Sequence, residues 1–408
     1  YCSIGSGRLS TRRDDIISDR PDRFLVAPVR TQGFPLRVDP SKVFIDNQAD
    51  LDELMADAMG APWVSVDTEF ERIRTFFPRL CLIQMATPQW TVCIDPLADI
   101  TLSGVGALLA SAEPVKIFHA ARQDMEVLQH TLGILPGALF DTQIAAALSG
   151  FGEQVGYARL VKEICDVELS KAYTRTAWCR RPLIDEEIRY ALDDAHYLGD
   201  LHQHLKILLD QRGRTAWATE DFSLLACGDV IEAGAASAVK RILRACSSFD
   251  REGQSVAHAL ALWREEAARR LDRPREWLLA LDVIVEIARS RPQNLVQLEQ
   301  LPGVESGTVK RRGQAILEVV ERAHSEAVNY TPLQKPGRVD PAIKALGNRM
   351  WSYLSALCTE ADLPTASVAR RDDIRRLASG ERDLPLLKGW RRQFAGEALL
   401  EISTQTDE

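Results

Sequence analysis

The sequence predicts an α/β unit followed by two small all-α helical bundles. Three observations lead to this fold class. Short apolar runs typical of strands alternate with stretches of helical spacing between Val43 and about residue 208, as in an α/β sheet covered by helices. Strand signals disappear after Leu209, where only helical spacing remains. A Pro- and Gly-containing segment at 330–338 then separates two helical stretches of similar character.

The order of elements within the α/β unit can be predicted from apolar spacing and turn residues. The unit begins with a short strand at 43–45 and a helix opened by Asn47. Tight connections at Pro78 and at 87–89 predict that the next three strands form an antiparallel meander. These strands lie at 63–70, 80–86 and 91–94, a further strand lies at 116–119, and helices lie at about 102–111, 122–132, 141–149, 155–165 and 185–209.

The second half of the chain shows helical spacing at about 220–246, 254–272, 276–289, 307–326 and 340–403. The predicted division of the chain is an α/β unit at 36–208, a helical linker at 209–236, a first bundle at 237–326, a linker at 327–337 and a second bundle at 338–404. Residues 1–35 are rich in Arg, Ser, Asp, Pro and Gly, which predicts a disordered leader.

Composition excludes several classes of protein. No apolar run approaches the roughly 18 residues that span a bilayer, so no membrane partner is predicted. The eight cysteines contain no C-x-x-C pair, which argues against a structural zinc site and predicts reduced thiols in a cytoplasmic protein. Residues 36–208 contain 25 Asp and Glu against 15 Lys and Arg, an excess that suits phosphate binding only through bridging cations.

Carboxylates at three places are the candidates for chemistry. Asp67 and Glu69 lie two positions apart on a strand, so both point to one face. Asp124 lies in the first turn of a helix that follows a strand, where a helix cap is the alternative interpretation. Tyr190 and Asp194 have the i,i+4 spacing that brings them to one helical face, where a surface pair is the alternative.

Together, four carboxylates and a tyrosine are the residue types that a two-metal phosphodiester hydrolase requires. Each cation offsets the repulsion among the acids and the charge of the phosphate. The sequence contains no Ser-His-Asp ordering, no phosphate-binding Gly-rich loop and no zinc signature that would favour another chemistry.

The motifs around these acids resemble a known family. The segment 67–84, DTEFERIRTFFPRLCLIQ, resembles the first exonuclease motif of bacterial ribonuclease D, and 117–124, IFHAARQD, resembles the second. The Y-x-x-x-D spacing from Tyr190 to Asp194 matches the third motif, that of the tyrosine subclass of DEDD exonucleases, which have a ribonuclease H-like fold. Further similarities lie at 140–143 and 175–178, and segments 263–264, 301–304 and 389–391 resemble the tandem HRDC domains of the same enzyme.

The resemblance covers about residues 40–403 and implies an activity. It implies a metal-dependent 3′→5′ exoribonuclease that trims structured RNA, notably tRNA precursors, and releases nucleoside 5′-monophosphates. Two Mg²⁺ or Mn²⁺ ions are implied. Asp67 would bridge both, Glu69 and Asp194 would hold the ion that carries the nucleophilic water, and Asp124 would serve the second ion through water. Tyr190 would position and help deprotonate that water, and a cytoplasmic monomer is expected.

Further residues are candidates for contact with RNA. His119 and Gln84 are expected near the terminal nucleotide, and Arg175 with Trp178 combines an arginine for phosphate with an indole for stacking. A satisfied structural histidine is the alternative for His119. A basic run on a helix predicts a phosphate contact, with a solvated helix face as the alternative; this run is Lys310, Arg311 and Arg312.

Two rival functions are consistent with parts of this pattern. A 3′→5′ DNA exonuclease would use the same acids, because discrimination between the two sugars depends on a contact to the 2′-hydroxyl. The HRDC-like units and the order of motifs favour RNA. An RNA-binding scaffold that no longer turns over is the third possibility, and the intact set of acids argues against it.

Overall fold

Six strands form one mixed sheet in the order β1-β4-β3-β2-β5-β6. The computed structural model describes residues 43–170, 172–173, 176–227, 230–333 and 340–404. The predicted leader and Arg175 therefore lie outside the described residues. The strands are β1 (Phe44–Ile45), β2 (Trp63–Glu71), β3 (Arg79–Ala86), β4 (Thr91–Ile94), β5 (Val115–Phe118) and β6 (Leu139–Asp141).

The centre of the sheet is the predicted antiparallel meander of β2, β3 and β4. β2 pairs with β3 from Ser65 opposite Ala86 to Glu71 opposite Arg79, and β3 pairs with β4. The outer strands are parallel to their neighbours: β1 to β4, β5 to β2 and β6 to β5. The predicted α/β class is confirmed.

Seven helices cover the two faces of this sheet. α1, α2 and α3 pack on one face, in a core that includes Val66. α6 covers part of the other face, and α4, α5 and α7 build a second core there around Trp63. Gly199 allows α7 to approach closely, because a Cβ at this position would lie 2.3 Å from the Trp63 ring. The helices are α1 (Gln48–Ala58), α2 (Ser103–Ala110), α3 (Arg122–Leu132), α4 (Thr142–Leu148), α5 (Tyr157–Cys165), α6 (Asp185–His196) and α7 (Leu198–Gln211).

Two details of the α/β unit differ from the sequence prediction. The stretch 185–209 is two helices rather than one, because the chain turns at Tyr197. β6 was not predicted, because three residues are too few to show alternation and a helical pattern begins at 141.

The helices after α7 form two further units. α8 (Thr215–Cys227) precedes a first helical unit of α9–α14, whose core centres on α10. The predicted helix at 276–289 is in fact two, α11 and α12. The helices of this unit are α9 (Val230–Ala245), α10 (Arg251–Leu271), α11 (Arg275–Leu278), α12 (Leu281–Ser290), α13 (Leu295–Glu299) and α14 (Ser306–Glu326), followed by a 3₁₀ turn at Ala327–Asn329.

The second helical unit, residues 341–404, packs against the α/β unit and α8. Ala218 and Phe222 of α8 share one core with Trp390, and Trp217 stacks on Trp390 with ring centroids 4.6 Å apart. α8 is therefore part of a packed core and not a free connector. The helices are α15 (Pro341–Glu360), α16 (Thr365–Val368), α17 (Arg371–Ala378), α18 (Gly389–Arg391) and α19 (Glu397–Thr404), with a 3₁₀ turn at Pro385–Leu387 and a π-helical turn at Arg392–Gly396.

Within the described ranges, no single helix has the length and apolar character needed to cross a membrane. One bent pair, Thr215–Ala226 with Ile231–Ala245, meets the criterion of length and composition together, at an angle of 80°.

Candidate active site

Two carboxylates of β2, Asp67 and Glu69, point to the sheet face that α6 covers. Alternation along the strand sends Val66 into the core beneath α1–α3 and turns Ser65 towards α6. The Ser65 hydroxyl donates a 2.8 Å hydrogen bond to the carbonyl of Ala195 near the end of α6. This bond holds the helix against the strand beside the two acids.

α6 adds a third carboxylate to this pair. One oxygen each of Asp67, Glu69 and Asp194 lies within 4.8 Å of the other two. Among the residues that the structure describes, no Lys, Arg or His forms an ion pair with these three acids. The i,i+2 spacing on β2 and the position on α6 thus bring the three carboxylates together.

The fourth acid, Asp124, approaches from the other side of β2. It lies in the first turn of α3, is 6% exposed, and accepts a 2.5 Å hydrogen bond from the hydroxyl of Thr68. The residue before α3 is Ala121, which makes no side-chain cap, so Asp124 does not occupy the N-cap position that was its alternative interpretation. Repulsion from Asp124 adds to burial in raising the pKa of Asp67.

Tyr190 lies one helical turn before Asp194 and is half-buried. The indole of Trp178 stacks beside its ring, with centroids 6.3 Å apart and an angle of 25° between the planes. The ring of Tyr173 lies against it at 6.1 Å. Burial, together with Asp194 and then Glu69, raises the pKa of Tyr190 to about 12, so the phenol is neutral near pH 7.

Burial raises the pKa of every acid in the cluster, and repulsion within the cluster adds to the rise at Asp67 and Glu69. Burial raises the pKa of Asp67 well above its usual range, and Asp124, Asp194 and Glu69 raise it further in that order. Burial followed by Asp194 and Asp124 raises the pKa of Glu69 from 4.5 to about 8. Burial also raises the pKa of Asp124 and of Asp194 to about 7, and the hydrogen bond from Thr68 opposes this rise at Asp124.

This donor set fits hard divalent cations. Carboxylate oxygens are the ligands that Mg²⁺ and Mn²⁺ prefer, and a cluster of acids without a basic partner is stabilised when cations bind between them. The raised pKa values have a related origin, because burial and, at Asp67 and Glu69, repulsion within the cluster disfavour the charged carboxylates. The arrangement can therefore hold cations and, through them, a phosphate group.

Comparisons with known proteins agree with this chemistry. A model of the 3′-5′ exonuclease family matches residues 43–210, and a model of the HRDC domain matches residues 254–320. Ribonuclease D of Gluconacetobacter diazotrophicus is 38% identical over 370 residues, which cover 89% of this chain and 93% of that protein. The chain belongs to the ribonuclease D family. Ribonuclease D of Granulibacter bethesdensis is 33% identical over 371 residues, with coverages of 89% and 93%.

Solved structures support the membership in the ribonuclease D family. The crystal structure of Escherichia coli RNase D, described as an exoribonuclease involved in structured RNA processing, matches with a TM-score of 0.79 and 27% identity. The match covers 88% of this chain and 98% of that one. The catalytic core of RRP6 from Trypanosoma brucei matches with a TM-score of 0.53 and 26% identity, over 70% of this chain and 80% of that one. The predicted family, fold and activity, a metal-dependent 3′→5′ exoribonuclease, are confirmed.

Two of the predicted RNA contacts of this ribonuclease D are buried. Gln84 is the cross-strand partner of Asp67 and has no exposed surface, and neither of its amide atoms has a hydrogen-bond partner in the described residues. Trp178 is 4% exposed, because it packs between Leu183 and Tyr190 in a small core over β3. Neither side chain reaches the surface to touch RNA. We correct both roles: Gln84 packs beside a site acid, and Trp178 supports the tyrosine.

The other predicted contacts remain predictions. His119 is half-buried, with Nδ1 2.9 Å from the hydroxyl of Thr142. Lys310 and Arg311 are exposed on α14. Arg175 lies outside the described residues.

The cysteine prediction is wrong for one pair. Cys81 and Cys179 form a disulfide with 4.9 Å between their Cα atoms, whereas Cys93, Cys165, Cys246 and Cys358 are free and buried. The two paired residues are separated by 98 positions in the sequence, so a search for short cysteine spacings does not detect them. The disulfide joins β3 to the segment that carries Trp178.

Sequence reasoning also missed residues that support the site. Thr68 holds Asp124, and its role depends on a hydrogen bond between two elements. Tyr157 donates a 2.7 Å hydrogen bond to the carbonyl of Asp193 next to Asp194. Asp141 caps α4, and it also accepts a 2.8 Å hydrogen bond from the N–H of Ala121 before α3. The available sequence signal for Thr68 was its position between Asp67 and Glu69 in the first motif.

Proposed function

We propose that this enzyme trims the 3′ ends of structured RNA, including tRNA precursors, at a two-cation site made by Asp67, Glu69, Asp124 and Asp194. The observation that carries the proposal is the close approach of three carboxylates, within 4.8 Å, without a basic partner among the described residues. The substrate class is supported by the likeness to an RNase D that is involved in structured RNA processing.

Two divalent cations, Mg²⁺ or Mn²⁺, would supply positive charge against the phosphate and lower the pKa of a bound water. Asp67 would hold both cations. Glu69 and Asp194 would hold one of them, and Asp124 would hold the other through water. The hydrogen bond from Thr68 keeps the Asp124 carboxyl oriented towards β2.

Tyr190 orients the attacking water in this proposal. In the metal-free site, burial and the neighbouring acids raise the pKa of Tyr190 to about 12, so the phenol is protonated near pH 7 and can hold the water by a hydrogen bond. The water oxygen bonds to the terminal phosphorus while the bond to the 3′-oxygen breaks, which releases a nucleoside 5′-monophosphate and leaves the RNA one nucleotide shorter.

The remaining parts of the proposal concern organisation. The α/β unit at 36–208 would carry the chemistry, while the bundles at 237–326 and 338–404, joined through 209–236 and 327–337, would hold RNA. Lys310 and Arg311, exposed on α14, would contact phosphates, because phosphate contacts orient an RNA without reading its sequence. A monomeric state and a cytoplasmic location belong to the same proposal.

The test compares products from matched RNA and DNA. A 3′-extended tRNA and a DNA strand of the same sequence are incubated with Mg²⁺, and both the shortened strand and the released nucleotide are identified. We expect nucleoside 5′-monophosphates from RNA. Asp67→Asn and Asp194→Asn should lower the rate by about a thousandfold or more, because each removes a charged ligand.

The exposed Asp185→Asn on α6 is the matched control and should retain wild-type activity. Wild-type rates in Asp67→Asn would contradict the assignment of the cation site. Equal trimming of DNA and RNA would favour the DNA exonuclease alternative.

A further inference from the structure

The loop at 72–78 follows the site strand at a point where strand pairing is irregular. Glu69 faces Leu82 on β3, whereas the next residue, Phe70, faces Leu80. A bulge of this kind bends a strand and changes the direction of its side chains. The direction in which the β2 carboxylates point therefore depends on how the loop after β2 is held in place.

One end of this loop is buried in the first helical unit. Phe76 is 4% exposed and packs against Ala267 and Ala268 of α10 and Leu278 of α11. The guanidinium of Arg275 lies over the Phe76 ring, 4.5 Å from its centroid. An aromatic side chain of the nuclease loop is thus part of the core of a different unit.

The backbone of the loop is bound at the same place. Asp272, which ends α10 in the left-handed conformation at φ 46°, accepts hydrogen bonds from the N–H groups of Phe76 at 2.9 Å and Phe77 at 3.1 Å. The guanidinium of Arg273 donates to the carbonyl of Arg74 at 3.4 Å. Two backbone N–H groups and one carbonyl are therefore fixed by residues at the end of a single helix.

The other side of the loop contacts α3, the helix that carries Asp124. The Phe77 ring stacks on His130 with centroids 3.9 Å apart and planes 4° apart. Arg72 forms a 2.7 Å ion pair with Glu126, two residues after Asp124. The loop thus links three elements: the strand with two site acids, the helix with the fourth, and the first helical unit.

We propose that the first helical unit is part of the catalytic apparatus, with Phe76 and Asp272 as positioning residues. They fix the loop and thereby the distance between the β2 carboxylates and Asp124. This goes beyond RNA binding as the role of the helical unit, and it rests on the proposed cation site. A displacement of about 1 Å between reacting groups is enough to slow a reaction by about a hundredfold.

The experiment separates positioning from RNA binding. Full-length Phe76→Ala and Asp272→Ala are assayed for kcat, KM and the Mg²⁺ concentration of half-maximal rate, on a short single-stranded oligoribonucleotide and on a 3′-extended tRNA. We expect kcat on the short RNA to fall by about tenfold or more and the Mg²⁺ requirement to rise several-fold, with little change in KM. Phe76→Leu and Asp272→Asn should recover most of the activity, because leucine keeps the buried contact and asparagine keeps the acceptor oxygen.

Val296→Ala, at a side chain 65% exposed in the same unit, is the control and should match the wild type. Wild-type kcat and Mg²⁺ requirement in both alanine variants, with a higher KM for tRNA alone, would overturn the proposal. Should Phe76→Ala fail to fold, Asp272→Ala decides, because at this exposed turn it removes the acceptor and adds only the strain of an alanine at φ 46°. Asp194→Asn is assayed in parallel: activity there would mean that the cation site itself is wrongly assigned, whereas an inactive Asp194→Asn beside wild-type Phe76→Ala and Asp272→Ala would refute the positioning role alone.

Discussion

Replacing Glu69 with glutamine should stabilise the metal-free enzyme while it inactivates the site. The pKa of Glu69 is raised from 4.5 to about 8, first by burial and then by Asp194 and Asp124. A carboxyl with a raised pKa in the folded state contributes its full stability below pH 4.5 and loses it as the pH rises towards 8. Glutamine has the same shape and no charge, so the variant should not show this loss.

The size of the effect follows from the shift in pKa. With one pKa unit equal to about 1.4 kcal/mol, the raised pKa of Glu69 lowers stability by up to about 1 kcal/mol at about pH 5 and up to about 3 kcal/mol at about pH 7, because the unfolded state ionises at lower pH than the folded state. In a domain of the size of the α/β unit, about 1 kcal/mol corresponds to about 2–4 °C in Tm. Glu69→Gln should therefore raise Tm by several degrees near neutral pH and by much less near pH 5.

Thermal unfolding in EDTA at the two pH values, followed by calorimetry or a fluorescent dye, measures this difference. The exposed Glu153→Gln on the surface of the same unit is the control and should leave Tm unchanged at both. Added Mg²⁺ should raise the Tm of the wild type more than that of Glu69→Gln, because the variant lacks a ligand. A Glu69→Gln protein no more stable than the wild type in EDTA near pH 7 would refute the argument that burial and the neighbouring acids raise the pKa of Glu69.

Three further predictions follow from the same structure. Thr68→Val removes the hydrogen bond to Asp124, so the pKa of that acid should rise above about 7. The acidic limb of the pH–rate profile should then move to higher pH. An unchanged acidic limb would contradict the role of Thr68 in holding Asp124 ionised. In the wild type, the Mg²⁺ concentration at the midpoint of a thermal-shift titration should fall as the pH rises from about 6 to 8, because Asp194 and Asp124 must lose protons before they bind the cation. A constant midpoint would mean that the cation displaces no protons from these acids. Cys81→Ser should lower the free energy of unfolding by about 4 kcal/mol, because the disulfide to Cys179 closes a loop of 98 positions. Dithiothreitol should destabilise the wild type to the same extent. An unchanged Tm in both experiments would mean that the two thiols are unpaired in solution.

Much of the fold could be predicted because its signals are local. The run of apolar residues around Asp67, the connection at Pro78 and the opening of α1 by Asn47 each depend on a few neighbouring residues. Features set by tertiary contacts were lost. The break between α6 and α7 lies at Tyr197 within an unbroken helical pattern, and β6 is stabilised as a strand only by pairing with β5.

The same distinction applies to the site. Asp67 and Glu69 were predictable, because an i,i+2 pair on a strand shares a face whatever surrounds it. Gln84 and Trp178 were assigned to RNA contact because residue type alone indicates chemistry and not exposure, and packing under α6 buries both. Thr68 acts through a bond to a residue 56 positions away, which no local pattern encodes.

The packing of the loop at 72–78 is related to the clustering of acidic side chains in the α/β unit. Asp124 is buried and the other three carboxylates are half-buried, and repulsion among them opposes the assembly of the metal-free strand and helices. Uncharged contacts must therefore hold the strand and the helices in place until a cation binds. Contacts on the outer side of the loop, Phe76 in the helical unit and Phe77 on His130, carry no charge repulsion and are independent of the cation. A packed loop at the end of β2 therefore keeps the cluster assembled at the stage when electrostatics oppose it, and cation binding recovers the free energy that the repulsion removes.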